Sequence, residues 1–271
     1  TVHVGEVVCA KRMPFFDKHL PDVIERLQRA GKEVVLSTLA LVMNEREVNQ
    51  LRDIAQMPGI LIEANDVSIV RLLAGQTHMI GPYINTYNEG TFSYFADKGA
   101  KRIALPWELP MSSIAKLCNV RKAVEIEVQV FGRIPLAISA RCYSARAHGL
   151  HKDGCRYVCS EHQDGMDVET LDETPFLAVN GLQTLSYHYT ELSDHIAQMQ
   201  DTGVSAFRLS PHSLNMTKVS DLYRQVLAHE TSPEELRHHL NEMHFPMSFA
   251  DGFLHGVPGA EFRQTLDQRA E

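Results

Sequence analysis

Three consecutive runs decide the fold: Glu33-Val-Val-Leu-Ser-Thr38, Glu45-Arg-Glu-Val-Asn-Gln-Leu-Arg-Asp-Ile-Ala-Gln56 and Ile60-Leu-Ile-Glu-Ala64. The first and third are short, rich in β-branched residues and apolar without alternation. That pattern belongs to strands covered on both faces, as in a parallel sheet. The middle run places Val48, Leu51, Ile54 and Ala55 on one face of a helix. Strand, helix and buried strand in this order form a βαβ unit.

The same alternation extends outward in both directions. Strand-like runs fall at residues 2–5, 33–38, 60–64, 79–83, 102–106, 124–131 and 206–210. Helical periodicity fills residues 21–30, 45–56, 91–98 and 111–117, the first with Pro21 in its opening turn and Gly31 beyond its end. Seven such strands predict an α/β fold of the (β/α) TIM-type barrel class, and the eighth strand of a closed barrel is expected from a segment ahead of Thr1. An open doubly wound sheet is the alternative, but no Gly-x-Gly-x-x-Gly or Walker pattern follows an early strand. Residues 140–174 are polar, His-rich and without clear period, and read as an insertion within one domain spanning 1–271. A further strand-like run covers 176–180. Ser232-Pro-Glu-Glu235 is a capping box that opens a short helical C-terminal extension.

Composition narrows the class. The formal charge of −8, from 26 basic against 34 acidic residues, argues against a nucleic-acid binder. No run approaches the roughly 18 apolar residues of a membrane span, and Thr1-Val-His-Val-Gly5 lacks the features of a signal peptide. Five unevenly spread cysteines in 271 residues do not make a disulfide framework. A reducing cytoplasm with free or metal-bound thiols is the expectation.

Three of those five cysteines, Cys142, Cys155 and Cys159, fall within residues 142–159. A fourth, Cys9, lies just past the first strand-like run. The strands of a parallel barrel deliver such positions to its C-terminal mouth, so a closed four-thiolate site is plausible on topology. Cys118 follows a helical pattern and reads as an ordinary buried thiol. Three readings of the set stand together. Four thiolates suit an iron–sulfur cluster. Structural zinc, with His148, His151 or His162 as a ligand, suits the Cys155-x-x-x-Cys159 pair, although zinc sites usually carry two such knuckles. Unrelated cysteines without metal are the third.

At these residues the chain resembles the collagenase-like peptidase family, and within it the UbiU/UbiV branch of ubiquinone biosynthesis. The resemblance is carried by Gly5-Glu-Val-Val-Cys9, Leu36-Ser-Thr-Leu-Ala-Leu-Val42, Ile62-Glu-Ala-Asn-Asp66, Pro106-Trp-Glu-Leu109, Gly132-Arg-Ile-Pro-Leu136, Ser139-Ala-Arg-Cys142, Asn180-Gly-Leu-Gln-Thr184 and Arg208-Leu-Ser-Pro211, together with the spacing of the cysteines. It implies a TIM-type barrel and a [4Fe–4S] cluster held by Cys9, Cys142, Cys155 and Cys159. It also implies a heterodimer with a UbiU-like paralogue that supports oxygen-independent hydroxylation of a ubiquinone precursor. Prephenate is then the expected oxygen donor, and a lipid-carrier protein the expected vehicle for the precursor. A hydroxylase subunit, rather than a protease, is the implied activity. The alternatives are a scaffold subunit with a structural metal and a metal-dependent peptidase, the latter weakened by the lack of His-Glu-x-x-His. Two departures stand out. The chain starts later than the family pattern, and Asp251-Gly-Phe-Leu-His-Gly256 only loosely follows the family's Gly-aromatic motif.

Other candidates lie at strand ends, where barrel enzymes place acids and bases. Glu63 and Glu108 lead, ahead of Glu6 and Asp66, which can equally cap the next helix. Arg141 and Arg208 can bind an anionic substrate bidentately or form structural ion pairs. Trp107 and Tyr83 can stack on an aromatic ring or simply pack. The three loop histidines are expected to be solvated.

Overall fold

A computed structural model describes residues 1–121 and 123–262. The chain is mixed α/β, and its contacts divide it into two compact units. The first comprises Thr1–Pro106, Val120–Ile126 and Ile138–Arg141; the second comprises Trp107–Asn119, Glu127–Ala137 and the chain from Cys142 onward.

The first unit carries five parallel strands in chain order: β1 (Val2–Val4), β2 (Val34–Ser37), β3 (Leu61–Ala64), β4 (His78–Ile80) and β5 (Ala100–Ala104). Each coincides with a run expected from the sequence. The reason is burial. All of β2 and β4 and the last three residues of β3 are buried, so both faces select apolar side chains and no alternation is needed. The crossover helices are set by their caps. Asn44 accepts from the Glu47 amide at 3.0 Å and starts Glu45–Ala55; Asp66 accepts from Ser68 at 2.8 Å and starts Val67–Leu72; Asn88 starts Glu89–Asp97. Leu51, Ala55, Ile69, Val70, Phe92 and Phe95 point inward from these helices.

One strand, β6 (Glu125–Ile138), begins in the first unit and continues through the second. It is nearly twice as long as the 124–131 run expected. Gly132 explains the shortfall: its φ of +106 and the Ser210 side chain 2.6 Å from where a Cβ would stand mark an irregularity that reads as an end. The strand passes through it and on past Pro135.

In the second unit β6 pairs in parallel with β10 (Ala206–Leu209) and neighbours β9 (Gln183–Glu191). From β9 an antiparallel ladder runs to β8 (Pro175–Asn180) and β7 (Met166–Glu169), while β11 (Phe249–Ala250) pairs with β9 in parallel. The 140–174 segment therefore holds more order than its polarity suggested: a helix at Tyr143–Ala147, two 3-10 turns and β7. Burial in β7 alternates between half-buried and exposed, which is why no apolar run announced it. The capping box forms as expected. Ser232 accepts from the Glu235 amide at 3.1 Å, the Glu235 carboxylate accepts from the Ser232 amide at 2.9 Å, and Pro233–Glu242 follows.

Candidate metal centre

All five cysteines are free thiols. Cys9 belongs to the first unit; Cys142, Cys155, Cys159 and Cys118 belong to the second.

Cys9 sits in a tightly specified turn after β1. Gly5 has φ +106, and a Cβ there would lie 2.6 Å from the Ser37 carbonyl oxygen, so only glycine fits. The Glu6 carboxylate then accepts from the amides of Val8 at 2.7 Å and Cys9 at 3.0 Å. Cys9 in turn caps the 3-10 turn Ala10–Arg12, its carbonyl accepting from the Arg12 amide at 2.8 Å. Glu6 thus shapes the cysteine turn, and Asp66 caps a helix.

In the second unit, Cys142 is buried at the N-cap of Tyr143–Ala147, and its Sγ accepts from the Ala145 amide at 3.4 Å. Cys155 and Cys159 are half-buried and separated by an unusual backbone. Cys155 is right-handed (φ −69, ψ −11), whereas Arg156 and Tyr157 are both left-handed, at φ +50 and +58. Such a conformation costs of order 1–3 kcal/mol per non-glycine residue, so it persists where the surroundings impose it. A right-handed residue followed by a left-handed one also turns successive amides into one concavity, a form that binds anions and recurs at iron–sulfur sites.

One turn anchors both ends of this cysteine segment. Asn180 ends β8, and Gly181 begins the connection to β9. The Tyr143 amide donates to the Gly181 carbonyl at 3.0 Å, and the Gly181 amide donates to Ser144 Oγ at 2.8 Å, which fixes the helix that starts at Cys142. Asn180 Nδ2 donates to the carbonyls of Cys159 at 3.3 Å, His162 at 2.8 Å and Gln163 at 3.4 Å. Asn180 had entered the sequence reading only within the matched stretch Asn180–Thr184, with no role attached. A polar residue at the end of the strand-like run 176–180 is its only sequence signal. The thiols are soft donors uncommitted to disulfides, a type that suits zinc or an iron–sulfur cluster rather than a hard cation. His148, His151 and His162 are exposed, as the sequence suggested. Cys118 is buried on the helix Met111–Val120.

The remaining candidates separate. Glu63, at the end of β3, is fully buried; it accepts from Ser37 Oγ at 2.7 Å and Asn65 Nδ2 at 3.1 Å, with His3 Nδ1 3.6 Å away. These three partners were not singled out in the sequence. A buried carboxylate needs such donors, since desolvating an ion costs several kcal/mol. Gly81 makes room for Asn65, because a Cβ there would stand 1.9 Å from Asn65 Oδ1. Arg208, in the second unit, donates to the Glu127 carboxylate. Trp107 Nε1 donates to Gln129 at 2.8 Å. Glu108 and Arg141 are exposed, and Tyr83 lies half-exposed in the 3-10 turn Pro82–Ile84.

No helix among the described residues is long and apolar enough to cross a membrane. No solved structure matches the chain significantly. A family model does, over residues 1–264, nearly its whole length. The resemblance first carried by scattered motifs therefore holds across both units, and the chain belongs to peptidase family U32.

Proposed function

We propose that this chain is a UbiV-like iron–sulfur protein, acting with a UbiU-like paralogue in oxygen-independent hydroxylation of a ubiquinone precursor, within the family's (β/α)-barrel framework. The observation that carries the proposal is the pair Asn180 and Gly181, which ties the Cys142 and Cys159 segments to one place.

Cys142, Cys155, Cys159 and Cys9 would hold the [4Fe–4S] group, which when bound supplies one-electron transfer. This chain's residues set the conditions for that chemistry. Ala145 donates its amide to the Cys142 sulfur, and hydrogen bonds to cluster sulfurs raise the reduction potential. Four cysteine thiolates would leave the group no open position for substrate, which would then bind elsewhere on the protein. The exposed Arg141 suits an anionic oxygen donor such as prephenate, and the exposed Glu108 suits proton transfer, whereas Arg208 is engaged by Glu127 and Glu63 by Ser37 and Asn65. A cytoplasmic setting follows from the same reading, because free thiols need a reducing compartment.

The function is tested in cells lacking the endogenous branch member and grown without oxygen. The wild-type chain should restore ubiquinone formation, whereas Cys155→Ser should not, although it still co-purifies with the paralogue. Full restoration by Cys155→Ser would remove the cluster from the reaction. Loss of the complex together with activity would favour the scaffold reading.

A further inference from the structure

A second group of ligating side chains lies in the second unit and shares no residue with the cysteine set. His195, Asp251 and His255 bring their ligand atoms within 4.8 Å of one another. His195 Nε2 lies 3.5 Å and His255 Nε2 3.3 Å from the same oxygen, Asp251 Oδ2. The two rings meet edge to face, with centroids 4.9 Å apart. The His195 and Asp251 side chains are buried, at 4% and 2% exposure, while the His255 side chain keeps 30% and opens one side to solvent.

Both contacts are within hydrogen-bond reach, and their geometry also admits a second account. A charge-assisted hydrogen bond from imidazole to carboxylate is normally about 2.7–2.9 Å. Both separations are longer, at the outer end of hydrogen bonding. They agree with the edge of a coordination shell: bonds of about 2.1 Å at a near-tetrahedral angle place neighbouring ligand atoms about 3.4 Å apart. Two imidazoles and one carboxylate are also the donor set used for zinc with an open fourth position and for non-haem ferrous iron.

The frame is rigid where it needs to be. His195 ends the 3-10 turn Ser193–His195 and leads into the helix Ile196–Thr202. Asp251 follows β11 directly, and its amide donates to the Glu261 carbonyl at 2.9 Å, as does that of Gly252. A Cβ on Gly252 would fall 2.0 Å from the Pro258 carbonyl oxygen, so the chain crosses itself closely there. The turn Gly252–His255 then brings His255 back beside Asp251.

We infer that His195, Asp251 and His255 form a binding site for one divalent transition-metal ion of the zinc or ferrous class, with an open coordination position on the His255 side. The site is independent of the cysteine ligands and does not rest on the function proposed above.

Cobalt(II) tests it on the full-length chain, stripped with chelator under anaerobic conditions. Thiolate ligation gives strong sulfur-to-cobalt charge transfer, whereas imidazole–carboxylate ligation gives only the weaker visible bands, so the two donor sets read separately. The wild-type chain and Cys155→Ser should both show the sulfur-free cobalt signal and a metal-dependent rise in Tm. His255→Ala should weaken that binding beyond the roughly 10–100-fold that loss of an outer-shell partner costs. His255→Gln is measured beside it, and the metal-free Tm of each variant against metal-free wild type reports its fold. Equal cobalt affinity in either folded His255 variant, or a wild-type signal made only of sulfur charge transfer, would overturn the site.

Discussion

Asn180 holds the carbonyl of Cys159 through its Nδ2 at 3.3 Å, from the turn whose next residue, Gly181, secures the helix beginning at Cys142. One two-residue turn therefore controls the placement of two candidate ligands that are 17 positions apart in the chain.

Replacing Asn180 with Ala should leave three carbonyls without that donor. These carbonyls are only part-buried, so the loss should be near the net worth of a hydrogen bond, about 1 kcal/mol, and the denaturant midpoint should fall accordingly. The visible absorption of an anaerobically prepared sample should also decay faster on exposure to air. A variant with normal stability and normal decay would show that the turn does not hold the cysteine loop.

Gly5→Ala tests the Cys9 turn. The left-handed φ of +106 and the contact 2.6 Å from the Ser37 carbonyl leave no room for a methyl group. We expect a loss of about 1–3 kcal/mol and a drop in bound iron, because the Glu6–Cys9 turn must shift. Unchanged iron content in a destabilised variant would separate Cys9 from the metal site.

Acid should destabilise the chain from two sides. Burial holds the His78, His188 and His212 pKa values below the usual imidazole range of about 6.5. A histidine that resists protonation when folded contributes stability that is full above its unfolded pKa and lost as pH falls below it. Unfolding midpoints should therefore decline from about pH 6.5 downward, and His78→Leu should flatten part of that slope. At lower pH, Glu33 matters. Its hydrogen bond from Lys101 comes first, then that from Thr1, and together with the Arg102 charge they hold its pKa at about 2. The stability it contributes is present above the unfolded value of 4.5 and disappears as pH falls toward about 2. Glu33→Gln should abolish that component of the pH dependence, read from midpoints across the same window.

The parallel strands of the first unit were legible because burial on both faces writes itself as apolar runs such as Val34-Val-Leu36. β9 was not, because Ser186, Tyr187 and His188 are only half-buried in an antiparallel ladder and break any apolar run. β7 was absorbed into a polar stretch for the same reason. The thiols could be named as candidate ligands from residue type alone. What positions them could not, since Asn180 lies 21 residues from Cys159 and acts through a backbone carbonyl. Likewise Glu6 looked like a strand-end acid, and only the amides of Val8 and Cys9 reveal it as the cap of a turn. The His195–Asp251 pair spans 56 residues, so nothing local announced it.

The central claim is that the four cysteines hold an iron–sulfur cluster, and metal analysis of the anaerobically purified full-length chain tests it most directly. The account predicts a brown protein with about four iron and four sulfide per chain, reduced to near background when Cys142, Cys155 and Cys159 are all changed to Ser. A colourless protein carrying zinc on those thiols, with no sulfide, would contradict it.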